Sequence, residues 1–172
     1  MQHTLSVLVE NHAGVLSKVS GLFSRRSFNI DSLAVGVTEN PAVSRITIVA
    51  DGDDYVVEQL EKQLNKLVDV IKVKALRPGD FISRELVLLK VRANSSDRSE
   101  IIQLADIFGA KIIDVSRSTL TLEFADEDGQ LTSLEAMLRP YGICEAVRTG
   151  TIALEKGEKR IAPAPKKEQP AE

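Results

Sequence analysis

Asn11, Gly14 and Asn29 are the residues of this chain best suited to hold a small zwitterion. Asn11 and Gly14 stand in the polar loop "ENHAG", residues 10–14, just before an abruptly apolar helical stretch. The N–H groups in the first turn of a helix are unpaired and sit at the positive end of the helix dipole, which suits a carboxylate. A glycine there lets an anion approach with no side chain in the way. Asparagine donates and accepts hydrogen bonds, so Asn11 and Asn29 together could satisfy both ends of an amino acid. Val15, Leu16 and Ile30 would add an aliphatic wall, and neither Val15 nor Leu16 carries a charge that would select a charged ligand. A branched apolar amino acid is the ligand that fits best. The same residues also fit a plain helix start, in which Asn11 caps, Gly14 turns the chain and Asn29 ends a loop.

Other chemistry has thin support. His3 and His12 are the only histidines, and nothing in the pattern couples either to Cys144 or to a serine. His12 is therefore expected to be a solvated loop residue and Cys144, between Ile143 and Val147, a small core residue. Asp51, Asp53 and Asp54 in "DGDD" lack the remaining spacing and closing glutamate of a calcium loop, so a turn with a helix cap is the better reading. Gly14 and Gly21 do not form the dinucleotide fingerprint. The sequence thus offers no catalytic residue and no metal ligand.

The elements that must position the loop are clear from periodicity. Residues 4–10 alternate Leu5, Val7 and Val9 as a half-buried strand. Val15, Leu16, Val19, Leu22 and Phe23 recur at helical spacing, opposite Ser17, Lys18, Arg25 and Arg26. "FNIDSLAVGV" and "SRITIVA" make two strands joined by the turn "TENPA", with an irregularity expected near Ser32. Val57, Leu60, Leu64 and Leu67 mark a second helix, and residues 68–76 return to alternation. After "RPGD" (residues 77–80) the β-α-β-β-α-β order begins again, through "RELVLLKVRA", a helix carrying Ile101, Leu104, Ala105 and Phe108 and ending at Gly109, the pair "AKIIDVS" and "TLTLEFA", a helix with Leu131, Leu134 and Leu138, and "ICEAVRTG", which "TIALE" would extend.

Two such repeats imply an α+β chain of two tandem ferredoxin-like βαββαβ domains, residues 1–77 and 82–156, joined by a linker at 78–81. Residues 157–172 hold three of the chain's six prolines among many charges and are expected to be a disordered tail. Each domain is small and each open sheet leaves edge strands, so a homodimer formed through sheet edges is expected. A net charge of -3 gives no footprint for a polyanion, and 4% aromatic residues leave no stacking platform on the sheets, which argues against nucleic acid. A single cysteine, no signal-peptide pattern and no apolar run of bilayer length place the chain in the cytoplasm, away from the membrane.

The stretch "LSVLVENHAGVLSKVSGLFSRRSFNIDSL", with "EQLEKQLNKLVDVIKV", "RELVLLKV" and "FGAKIIDVS", resembles the small, regulatory subunit of acetolactate synthase over most of residues 2–158. The resemblance implies that the first half is an ACT domain. It further implies a dimer that binds the catalytic large subunit, raises its activity and confers feedback inhibition by valine, with leucine and isoleucine as further candidate effectors. Thiamine diphosphate, Mg²⁺ and FAD would lie on the catalytic subunit, with no cofactor in this chain. The effector-binding residues carried over are Asn11, Gly14, Val15 and Leu16 from one subunit and Asn29 and Ile30 from its neighbour. The chain departs from the family pattern at Ser27, where the family has glycine, and Lys18 and Arg26 stand at positions the family also fills with basic residues. The alternative is a free-standing ACT-type sensor that controls another enzyme or a transcription factor.

Overall fold

The computed structural model describes residues 1–26 and 28–161. Ser27 and residues 162–172, most of the expected tail, lie outside the described residues. The described chain divides into two compact units, Met1–Ile82 together with residues 153–161, and Ser83–Ile152.

In the first unit, β1 (Gln2–Glu10), α1 (Val15–Arg25), β2 (Ile30–Val37), β3 (Val43–Asp51), α2 (Asp54–Leu64) and β4 (Val70–Leu76) follow the expected order. The sheet is antiparallel, in the order β2-β3-β1-β4. Alternation along β1 sends Leu5, Val7 and Val9 to the core, where they meet Ile46 and Ile48 of β3, Val73 of β4, Val19, Leu22 and Phe23 of α1, and Leu60 and Leu64 of α2. The irregularity expected near Ser32 is present as a shift in the β2–β3 register between Ile30 and Ser32. The "TENPA" turn closes with the Thr38 N–H donating to the Val43 carbonyl at 3.0 Å.

α2 begins as its sequence implies. Asp53 is extended and its Oδ1 accepts from the Val56 N–H at 2.8 Å, so the "DGDD" run is a turn with a helix cap. Asp53→Ala is expected to lower the stability of this unit by about 1 kcal/mol, read as a midpoint shift in urea at unchanged slope.

The second unit holds the rest of β5 (Phe81–Arg92), α3 (Arg98–Phe108), β6 (Lys111–Val115), β7 (Thr119–Asp126), α4 (Asp128–Leu138) and β8 (Ile143–Arg148), with sheet order β6-β7-β5-β8. Val87, Leu89 and Val91 pack with Leu120, Leu122 and Phe124 under Ile101, Ala105, Leu131, Leu134 and Leu138. The Phe108 and Phe124 rings meet edge to face at 6.2 Å. Gly109 ends α3 in the left-handed region, φ 71°, as expected of a terminal glycine. "TIALE" does not extend β8. After Gly150, at φ 81°, it forms a separate strand, β9 (Ile152–Glu155), which pairs with β5.

Residues 153–161 pack with the first unit. Ala153 is buried, Glu155 accepts from Lys74 at 2.7 Å, and the Lys156 N–H donates to the Asp80 carbonyl at 2.9 Å. Among the described residues, no helix is long and apolar enough to cross a membrane.

Candidate functional site

The loop after β1 is built from backbone. Asn11 N–H donates to the Ala42 carbonyl and its side-chain Nδ2 to the Pro41 carbonyl, both at 2.9 Å. The amide that could have capped α1 instead holds the turn between β2 and β3. Gly14 then starts the helix at φ 88°, ψ -11°, and no side chain caps it. That conformation costs an ordinary L-residue roughly 1–2 kcal/mol, which is why glycine stands here. A Cβ added at Gly14 would meet nothing within 4 Å. The first intrahelical bond is Lys18 N–H to the Gly14 carbonyl, at 3.2 Å. Among the described residues, the N–H groups of Val15, Leu16 and Ser17 take no acceptor at the positive end of the helix; Val15 is buried, whereas Leu16 and Ser17 are exposed.

Val15 and Leu16 have separate fates. The Val15 side chain, 3% exposed, belongs to the core and offers the loop its backbone, whereas Leu16 is 43% exposed beside it. The 100° turn per helical residue separates them, so only Leu16 remains as aliphatic wall on this helix. Ile30 is half-buried and packs against the core, and Asn29 Nδ2 donates to Asp31 Oδ1 at 2.6 Å. Among the described residues, no hydrogen bond joins Asn29 to the loop, so one chain presents two groups, residues 11–16 and residues 29–30.

The residue that sequence reasoning missed is Asp69. It is 7% exposed, it precedes β4, and it gathers the loop from several sides. Its backbone carbonyl accepts from Glu10 N–H at 2.9 Å, its Oδ2 from Lys18 Nζ at 2.6 Å, and its Oδ1 from His12 Nε2 at 2.9 Å. The Lys18 ammonium, and then His12, hold the Asp69 carboxyl below the usual carboxylate range. His12 is raised above its ordinary value by the Ala13 carbonyl and then by Asp69. His12 is thus half-exposed but bonded, not the freely solvated residue expected, and Lys18 is an ion-pair partner rather than only a solvated face. The available signal was a lone carboxylate inside the apolar run "LVDVIKV".

Glu10, His12 and Asp69 also place three ligand atoms within 4.8 Å of one another, a spacing that could hold a cation. The Lys18 ammonium on the second Asp69 oxygen already supplies the positive charge there, which disfavours a metal. Cys144 is exposed, not in the core, because β8 is the terminal strand of its sheet and all its residues after Ile143 are exposed.

Repeated βαββαβ units with an uncapped, glycine-started helix after the first strand define a protein of the ferredoxin-like ACT class. Residues 5–72 match the family model of the AHAS small subunit-like ACT domain, and residues 84–157 that of the small subunit of acetolactate synthase. The chain is 48% identical to the acetolactate synthase small subunit of Mycolicibacterium smegmatis over 162 residues, 94% of this chain and 95% of that one. It is 46% identical to the Mycobacterium leprae small subunit over 159 residues, covering 92% and 94%. The crystal structure of the small subunit from Thermotoga maritima superposes with a TM-score of 0.87 at 41% identity, covering 92% of this chain and 99% of that one. The chain belongs to the acetolactate synthase small-subunit family.

Proposed function

We propose that this chain is a non-catalytic regulatory subunit that binds the catalytic subunit of acetolactate synthase, activates it and transmits feedback inhibition by valine. The observation that carries the reading is the start of α1. Gly14 carries no side chain, a Cβ built there would meet nothing within 4 Å, and no side chain caps the helix start that follows, an arrangement that suits a carboxylate. Asn11 is held beside it by Pro41 and Ala42, and exposed Leu16 supplies an apolar surface. Asn29 and Ile30 of a neighbouring protomer complete the site in a homodimer formed through sheet edges, which accords with the lack of any bond between the two groups in one chain. Pyruvate condensation, with thiamine diphosphate, Mg²⁺ and FAD, is assigned to the catalytic subunit in the cytoplasm.

Effector binding across the dimer seam orders the loop and biases the contact with the catalytic subunit between more and less active states. Valine has about eight heavy atoms, so micromolar to millimolar affinity is the expected range. The test is reconstitution with a catalytic subunit, assayed with and without valine, leucine and isoleucine. Activation on mixing and inhibition by valine are expected. Copurification with no thiamine-dependent subunit, together with unchanged activity on mixing, would reject the assignment.

A further inference from the structure

We propose that His12 and Asp69 are positioning residues that make closure of the effector loop, and with it effector affinity, proton-linked. The inference rests on the reading of residues 11–16 as an effector site. Both ring nitrogens of His12 face acceptors. Nδ1 lies 3.0 Å from the Ala13 carbonyl oxygen, and Nε2 lies 2.9 Å from Asp69 Oδ1 with Glu10 Oε2 at 3.5 Å. A neutral imidazole carries one N–H and can serve only one side, whereas the imidazolium donates to both. The protonated ring therefore ties the carbonyl that immediately precedes Gly14 to a carboxylate fixed in the body of the unit.

Asp69 is a firm anchor because it is buried and bonded to the end of β1 and to α1 as well as to the ring. Loss of the proton removes one of the ring's two hydrogen bonds, so the ring no longer ties the Ala13 carbonyl to Asp69. The first-turn N–H groups that would receive the effector carboxylate are then held less firmly in place. The groups facing His12 are the carboxylates of Asp69 and Glu10, with Lys18 across Asp69, while the turn between β2 and β3 meets the loop through the Pro41 and Ala42 carbonyls. Of these side-chain types, histidine is the one that changes charge near neutrality.

The direction follows from linkage. His12 is raised in the closed loop, so closure is favoured below the ordinary histidine value, and the advantage disappears as pH rises through the raised one. Asp69 is lowered, so its contribution is present above the ordinary carboxylate range and does not vary near neutrality. Effector binding should therefore take up as much as one proton and weaken toward alkaline pH.

The test is valine calorimetry on the full chain from about pH 6 to about pH 8.5, in buffers of different ionisation enthalpy, with His12→Gln and Asp69→Asn alongside. The wild-type Kd is expected to rise by about three- to tenfold over that range, with proton uptake, and to be flat in His12→Gln. Because Asp69→Asn also loosens an anchor of α1, the second measurement is the His12 ring followed by NMR with and without valine. It should titrate higher with valine bound than without in the wild type, and the difference should shrink in Asp69→Asn. A pH-independent wild-type Kd without proton uptake overturns this inference and leaves the effector site standing. A His12 titration indifferent to Asp69→Asn overturns it as well. Absence of valine binding at every pH overturns the effector reading and this inference together.

Discussion

Gly14→Asp is expected to raise the valine concentration needed for half-inhibition of the reconstituted enzyme by about 100-fold or more, while activation by the subunit stays within about twofold. Aspartate is among the residues that best tolerate the left-handed region in which Gly14 sits, φ 88°. An added Cβ there meets nothing within 4 Å, so the loop has room to keep its shape. The new carboxylate, however, lies against the N–H groups assigned to the effector's own. Two like charges about 4 Å apart repel by about 1 kcal/mol in water and about 4 kcal/mol at the effective dielectric of a protein surface. The upper part of that range alone corresponds to about a thousandfold in affinity. Gly14→Asn, similar in shape and backbone tolerance but uncharged, should lose much less. Calorimetry and activity assays on both variants separate charge from strain, and an unchanged valine titration in Gly14→Asp would remove residues 11–16 from the effector site.

Phe23→Ala is expected to be the more damaging change to the fold. Phe23 is 1% exposed and is among the largest fully buried side chains, packed from α1 against the sheet of the first unit. Truncation of a buried phenylalanine costs about 3–5 kcal/mol through lost burial and the cavity left behind. Domains of this size have a total stability of about 5–15 kcal/mol, so the first unit would lose a large share of it. A fall in melting temperature of more than about 10 °C is expected by calorimetry or circular dichroism. Leu16→Ala, on the same helix but 43% exposed, should shift the melting temperature by only a few degrees and act instead on effector affinity. A Phe23→Ala protein that melts within a few degrees of the wild type would contradict the packing described for α1.

The contrast between Phe23 and Leu16 marks how far the sequence reaches. Helical spacing placed Val15, Leu16, Val19, Leu22 and Phe23 on one apolar face, and four of the five are buried. Leu16, 43% exposed, lies on the margin of that face, and periodicity does not encode which residue at a margin is covered. The same holds at β8. Alternating apolar residues mark a strand, but only its terminal place in the sheet leaves Cys144 exposed. "TIALE" carries a strand pattern whether it prolongs β8 or pairs with β5, and Gly150 at positive φ decides for the second.

By itself, the sequence determined the element order of both repeats, the irregularity at Ser32, the Asp53 cap and the glycine start of α1. These are properties of backbone dihedrals, hydrogen-bonding caps and periods of two or 3.6 residues, and they are written within a few positions of where they act. Tertiary structure alone decided that Asn11 bonds to the turn between β2 and β3 and leaves α1 without a side-chain cap. It also brought Asp69 to His12 and Lys18, across separations of 57 and 51 residues. Those contacts follow from the register of β4 against β1, set by the burial of Val7 and Val73 in a shared core, and no local pattern around any one of the three residues carries that information.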